Sequence, residues 1–217
     1  MDDKYTIIIL VVIVAIIAVV GYAFATGMLN GDNNGNMQTT PFKTDFMEGS
    51  FVGNVSLENG TEKFMHSYED KQHKITYNIS TVDNSTALMD IYYLQGVANP
   101  EKRSFNGVDW NIYFNQAIQG NDTNKTMNII ICQHQGEKQG YLIYAIFDGK
   151  SDVDVSSQMF SPAYKDYIEP LLKGISLKES KNVPKIYEEF GLSEDEFAQQ
   201  MELVHQVKAG NTSALQG

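Results

Sequence analysis

Between Tyr5 and Leu29 the chain carries no charged side chain, and Ile7–Val20 is an unbroken run of Ile, Val, Leu and Ala. These 25 residues correspond to about 37 Å of helix, enough to cross a hydrocarbon core of about 30 Å with some tilt. The sequence therefore predicts a membrane segment. Two readings compete for it. A cleaved signal peptide is supported by Ala23-Phe24-Ala25, an A-x-A-like site after an apolar region. A retained anchor is favoured because the apolar span exceeds a signal core and the residues before it, Met1-Asp2-Asp3-Lys4, barely form a positive leader. The anchor is the reading adopted.

Lysine placement orients the segment weakly, with Lys4 on one side and Lys43 on the other. The sequons are more informative. Asn54, Asn59, Asn78, Asn84, Asn121, Asn124 and Asn211 each begin N-x-[ST], where chance from the Asn and Ser/Thr content gives about two. The excess predicts N-glycosylation sites on an exported face, against the plainer reading that Asn/Ser/Thr-rich loops generate sequons by composition. Both readings leave the long polar portion outside: a single-pass cell-membrane protein of signal-anchor type, touching the lipid bilayer through residues 5–29.

Charge narrows the function classes. The formal net charge is −11, and residues 1–31, 32–180 and 181–217 are each net acidic by −1, −7 and −3. A basic face for phosphates is missing, so nucleic acid is excluded as a partner. The single cysteine, Cys132, can make no intramolecular disulfide and lies too deep in the chain for lipid attachment after a signal peptide.

The expected organisation is a cytoplasmic stub (1–4), a transmembrane anchor (5–29), an Asn/Gly-rich flexible linker (30–44), an extracytoplasmic α+β domain (45–178), a helical tail (181–209) and a disordered end (210–217). Within the domain, short alternating runs predict an antiparallel sheet. Asn106-Gly107 marks a type I′ turn between a strand ending at Phe105 and one beginning at Val108. On the second strand Val108, Trp110, Ile112 and Phe114 should face the core, opposite Asp109, Asn111, Tyr113 and Asn115. Thr126–His134 and Tyr141–Phe147 form a further hairpin, and strands are expected at Phe51–Leu57, Phe64–Tyr68, Ile75–Ile79 and Leu88–Leu94. Ser161-Pro162 opens one amphipathic helix that Pro170 kinks or ends early and Gly174 stops, with Ile175–Leu177 returning as an edge strand. In the tail, Pro184 starts a short helix through Phe190, and Ser193-Glu194-Asp195-Glu196 is a capping box opening a second helix with a Phe197/Met201/Val204 stripe that either docks on the β domain in cis, the preferred reading, or self-associates.

The strand carrying G-x-x-W-x-I/V (Gly107, Trp110, Ile112), the long hairpin after it and the helix ending in Gly174-Ile175-Ser176-Leu177 together resemble the small α+β domains of the PsbP/Mog1-like superfold over residues 45–178. The whole layout is similar to uncharacterised single-anchor envelope proteins of methanogenic archaea. Gly191-Leu192-Ser193-Glu194-Asp195-Glu196-Phe197 is similar to the turn of the SHOCT motif, in which G-[IL]-[ST]-x-x-E-[FY] links two helices. These resemblances imply binding and assembly roles and carry no catalytic residue across.

No nucleophile elbow, zinc-protease motif, phosphate loop or dinucleotide fingerprint occurs in the sequence. Cys132 and His134 share a strand face, but a metal site would need two more ligands, with His66 or His73 coming from another strand, so Cys132 reads as a buried apolar residue. The acidic stretch Asp148–Asp154 lacks the calcium-loop spacing and reads as a solvated turn. No catalytic, cofactor or metal residue is expected. Tyr93 and Tyr113 are the aromatics that could stay on an outer face to stack on a sugar or peptide. The expected function is a membrane-anchored extracytoplasmic binding or structural domain of the cell envelope, not an enzyme, with an envelope glycan or protein as partner. The rival is an envelope hydrolase using carboxylates as acid and base, or the same domain secreted after signal cleavage.

Overall fold

Along Ile143–Phe147 every residue is apolar, and such a strand must be covered on both faces. The computed structural model, which describes residues 38–58, 65–94, 96–118 and 126–211, shows how the chain supplies that cover. In chain order the elements are β1 (Thr39–Lys43), β2 (Met47–Val52), β3 (Val55–Leu57), β4 (Met65–Asp70), β5 (Ile75–Val82), α1 (Ser85–Leu94), β6 (Glu101–Phe105), β7 (Val108–Ile118), β8 (Thr126–Gln135) and β9 (Gly140–Phe147). A π-helical turn (Ala163–Ile168) then runs into α2 (Glu169–Gly174), followed by β10 (Ser176–Leu177), α3 (Ile186–Glu189) and α4 (Glu194–Lys208). Seven strands form one antiparallel sheet in the order β3-β4-β5-β9-β8-β7-β6, and β1-β2-β10 form a small second sheet. The fold is α+β.

The period of two sorts the side chains into two cores. Tyr77, Trp110, Ile112, Cys132, Ile143 and Phe147 point to one face and pack against Phe46, Met47 and Phe51 of the small sheet and Tyr164, Ile168 and Leu171 of the helix. Ile129, Ile131, Leu142, Tyr144 and Ile146 point to the other and pack beneath Leu88, Ile91 and Tyr92 of α1 and the tail. The β6–β7 hairpin turns on Asn106 (φ 52°) and Gly107 (φ 79°), the two left-handed positions that its Asn-Gly pair supplies. Trp110 is buried on the expected inward face.

Several expectations are corrected. Leu88–Leu94 is helical: Asn84 Oδ1 accepts the Ala87 N–H at 3.0 Å, capping a helix whose Leu88, Ile91 and Tyr92 share one face. The tether does not extend to residue 44, because Thr39–Lys43 pairs with β2; Pro41, which lacks an N–H, is tolerated since β1 is an edge strand. The single strand expected over Phe51–Leu57 breaks at Gly53 (φ 104°) into β2 and β3, which belong to different sheets. At Pro170 the helix continues to Gly174, because the turn before it is wound wide, with the Glu169 N–H reaching five residues back to Tyr164 O. Tyr113 is buried on the face that α1 and the tail cover.

The tail docks in cis, on α1. Its start is held by Asp83, whose N–H donates to Pro184 O (3.0 Å) and whose Oδ1 accepts from the Ile186 N–H (2.9 Å). Gly191 (φ 65°) turns the chain and the Ser193/Glu196 capping box opens α4. Phe197, Met201 and Val204 are buried, and Lys208 Nζ pairs with Asp90 of α1. The anchor expected over residues 5–29 lies outside the described residues, and among those that are described no helix is long and apolar enough to cross a membrane.

Candidate functional site

The chain enters the domain beside the β4–β5 hairpin. Gly53 N–H donates to Gln38 O at 2.6 Å, just before β1, and a Cβ on Gly53 would stand 2.6 Å from Asp70 Oδ2. Only a glycine fits this contact at this φ. Asp70 ends β4 and is 0% exposed. A buried carboxylate must be fully satisfied by hydrogen bonds, and the hairpin supplies them: Oδ1 accepts from Gln72 N (3.0 Å) and His73 N (3.1 Å), and Oδ2 from His73 Nδ1 (2.8 Å). A carboxylate accepts only, so Nδ1 is the donor to Oδ2.

Around this pair the Tyr167 ring lies 5.5 Å from the imidazole. The Tyr77 hydroxyl is buried with no hydrogen-bond partner among the described residues. Burial first, and then the charge of Asp70, push the Tyr77 phenol well up, while burial and the charges of Asp70, Asp152 and Asp166 push Tyr167 up to about 12. Asp–His geometry of this kind orients an imidazole as a base. Here, however, the nearby hydroxyl of Ser151 donates to His73 O at 2.6 Å and is not aligned on the ring. The arrangement locks the hairpin and offers no nucleophile.

The fold brings two carboxylates of distant sequence position onto one face. Glu58 N–H donates to Ser67 O at 2.9 Å, extending the β3–β4 ladder, so Glu58 lies diagonal to Glu69 on one face. Burial, then a hydrogen bond from Glu58 and its charge, raise the Glu69 carboxyl above the usual range, against Lys71.

Cys132 is fully buried and its thiol is pushed far up by desolvation, so it is an inert core residue. His134 Nδ1 donates to Asp109 O (2.8 Å), and the ring sits near the Trp110 and Tyr141 rings. His66 packs on Phe46, and burial lowers its pKa against the opposing pull of Asp45. The fold does not gather these into a ligand set: no group of three or more His, Cys, Asp or Glu suited to a metal occurs among the described residues. In the acidic stretch, Asp148 Oδ1 accepts Lys150 N (2.7 Å) and Asp154 Oδ1 accepts Ser156 N (2.8 Å), which holds the Asp154 carboxyl low.

The sequons separate by environment. Asn54 is exposed in the turn between β2 and β3, and Asn211 is exposed just after α4. Asn84 is exposed, but its amide caps α1. Asn78 is fully buried in the middle of β5, opposite Tyr144, so a glycan there is incompatible with the folded sheet. Asn59, Asn121 and Asn124 lie outside the described residues. Tyr93 stays partly exposed with Lys208 over its ring, and with Tyr113 buried no stacking platform of two tyrosines forms.

No protein-family model and no curated protein matches the sequence. Among solved structures, the chain is similar to a protein of Bacteroides thetaiotaomicron VPI-5482, with 6% identity and a TM-score of 0.43 over 67% of this chain, and it spans about half (51%) of that one. It is also similar to cyanobacterial PsbP (CyanoP) from Synechocystis sp. PCC 6803, with 8% identity and a TM-score of 0.41 over 70% of this chain and 98% of that one. Neither likeness carries a residue, a ligand or an activity to this chain.

Proposed function

We propose that the chain is a membrane-anchored extracytoplasmic domain with a binding or structural role in the cell envelope. The observation that carries this reading is the uncharged Tyr5–Leu29 span, separated by a short Asn/Gly-rich stretch from a domain whose first strand begins at Thr39. Its support beyond the span is the exposure of Asn54 and Asn211. A binding or structural role is favoured over the hydrolase because the buried carboxylate, Asp70, is committed to its own hairpin.

Glycopeptide mass spectrometry on protein from native membranes tests the export. Glycan on Asn54 or Asn211 and none on Asn78 is the expected pattern. Protein whose domain resists protease on intact cells and is digested only after lysis would place the domain inside and overturn the proposal.

A further inference from the structure

The turn before the π-helical segment displays one aromatic ring at a backbone cost. Gln158 adopts φ 49°, a left-handed conformation that a non-glycine residue holds only under strain. The turn is pinned nonetheless: Gln158 N donates to Val155 O (3.2 Å), Phe160 N to Ser157 O (3.0 Å) and Ser161 N to Gln158 O (3.0 Å), while Ser161 Oγ also donates to Gln158 O and accepts from Tyr164 N. Met159 is buried as its foot, and Phe160 stands 83% exposed.

This ring lies at the end of the sheet where the chain enters. Asp148 N bonds Lys74 O and Ser151 Oγ bonds His73 O, placing the turn after β9 against the β4–β5 hairpin, next to Gly53 and Gln38. Ala163 N bonds Asp154 O, and Tyr167, one turn further on, touches His73, while Lys173 O at the far end of the helix accepts from Asn106 Nδ2 at the opposite end of the sheet. Phe160 therefore precedes the end of the helix that is nearest the incoming chain. From Leu29 to Gln38 only eight residues intervene. Eight residues can span at most about 28 Å.

We propose that Phe160 inserts into the interfacial layer of the bilayer that holds the anchor, fixing the domain with this end toward the lipid. The inference rests on the anchored reading given above. A phenyl ring on a rigid turn loses little conformational entropy when it inserts and gains burial. The exposed charges on the β4–β5 hairpin and the turn after β9 are of both signs, Lys71, Lys74 and Lys150 against Asp152 and Asp154. The contact is accordingly apolar and insensitive to salt.

The test uses the full chain with Phe160→Trp, reconstituted into phosphatidylcholine vesicles with and without brominated acyl chains; at 83% exposure the site accepts indole without repacking. Flotation of the vesicles reports the anchor separately. The expected result is a chain that floats, a tryptophan at 160 whose emission is blue-shifted and quenched by bromolipid at low and high salt alike, and a Trp110 signal in the parent chain that is unquenched. A chain that floats with unquenched, solvent-like emission overturns the lipid contact and leaves the anchor standing. Blue-shifted but unquenched emission overturns it in favour of a protein partner or a second copy. A chain that does not float removes the anchor and this inference together.

Discussion

The two ends of the seven-stranded sheet solve one problem in opposite ways. At the end where the chain enters, a fully buried charge, Asp70, is satisfied by residues within three positions of it. At the other end, buried neutral groups are satisfied across the chain: Gln133 Nε2 donates to Ser85 Oγ (2.9 Å), Gln135 Oε1 accepts from Ser85 N (2.8 Å), Asn111 Nδ2 donates to Gln133 Oε1 (2.7 Å), and Gln139 donates to Thr81 (3.0 Å) and accepts from Ser180 N (2.7 Å). A local solution satisfies the carboxylate within the hairpin itself. The long-range one stitches α1 and the connection to the tail onto the β8–β9 turn. The first end is suited to carrying an external contact; the second holds the layers together.

The largest effect is expected at the charged end. Asp70→Ala removes an acceptor of charge-assisted hydrogen bonds and should cost about 3 kcal/mol, seen as a lower denaturant midpoint. Hydrogen exchange should accelerate within residues 70–75 and stay protected in α1 and α4. Loss of protection spread evenly over both ends would break the contrast.

At the amide-rich end the close approach of Gly140 to α1 offers a smaller perturbation. A Cβ there would lie 2.0 Å from Ser85 Oγ and 2.8 Å from Gln135 Oε1, so Gly140→Ala should displace the start of α1 at a cost of about 1–3 kcal/mol. Because α4 packs on α1 through Asp90, the tail should lose protection as well. An unaffected tail would show that α4 docks independently of this network.

The smallest effect is electrostatic. The Glu69 carboxyl titrates above its unfolded value, so its stabilising share is fully present below about pH 4.3 and is lost as the pH rises through the folded value. Glu69→Gln should raise the melting temperature near neutral pH and leave it almost unchanged in acid. Solvent screening of this half-exposed edge keeps the gain under about 1 kcal/mol. An equal gain at both pH values would show that the effect is not ionisation.

Features encoded by neighbouring residues were legible in the sequence. Asn106-Gly107 specified its turn, Ser193/Glu196 its capping box, and the alternation around Trp110 its buried face. Leu88–Leu94 was misread because Ile91, Tyr92 and Tyr93 favour strands, while the cap on Asn84 and the packing of α1 on β8 and β9 decide the conformation. Thr39–Lys43 looked like tether because its partner, β2, contributes most of the reason to be extended. The placing of Glu58 and Glu69 on one face and the Gly53–Asp70 approach depend on the β3–β4 register. That register follows from Gly53 splitting one apparent strand into two, which composition and spacing did not reveal.

The central claim is that the folded domain remains tied to the membrane beside the end that carries Asp70 and Phe160. Mass spectrometry of the mature protein's amino terminus, recovered from washed membranes, tests it most directly. The account predicts an intact peptide containing Ile7–Val20. A mature chain beginning at Thr26, after Ala23-Phe24-Ala25, would show a secreted domain and contradict it.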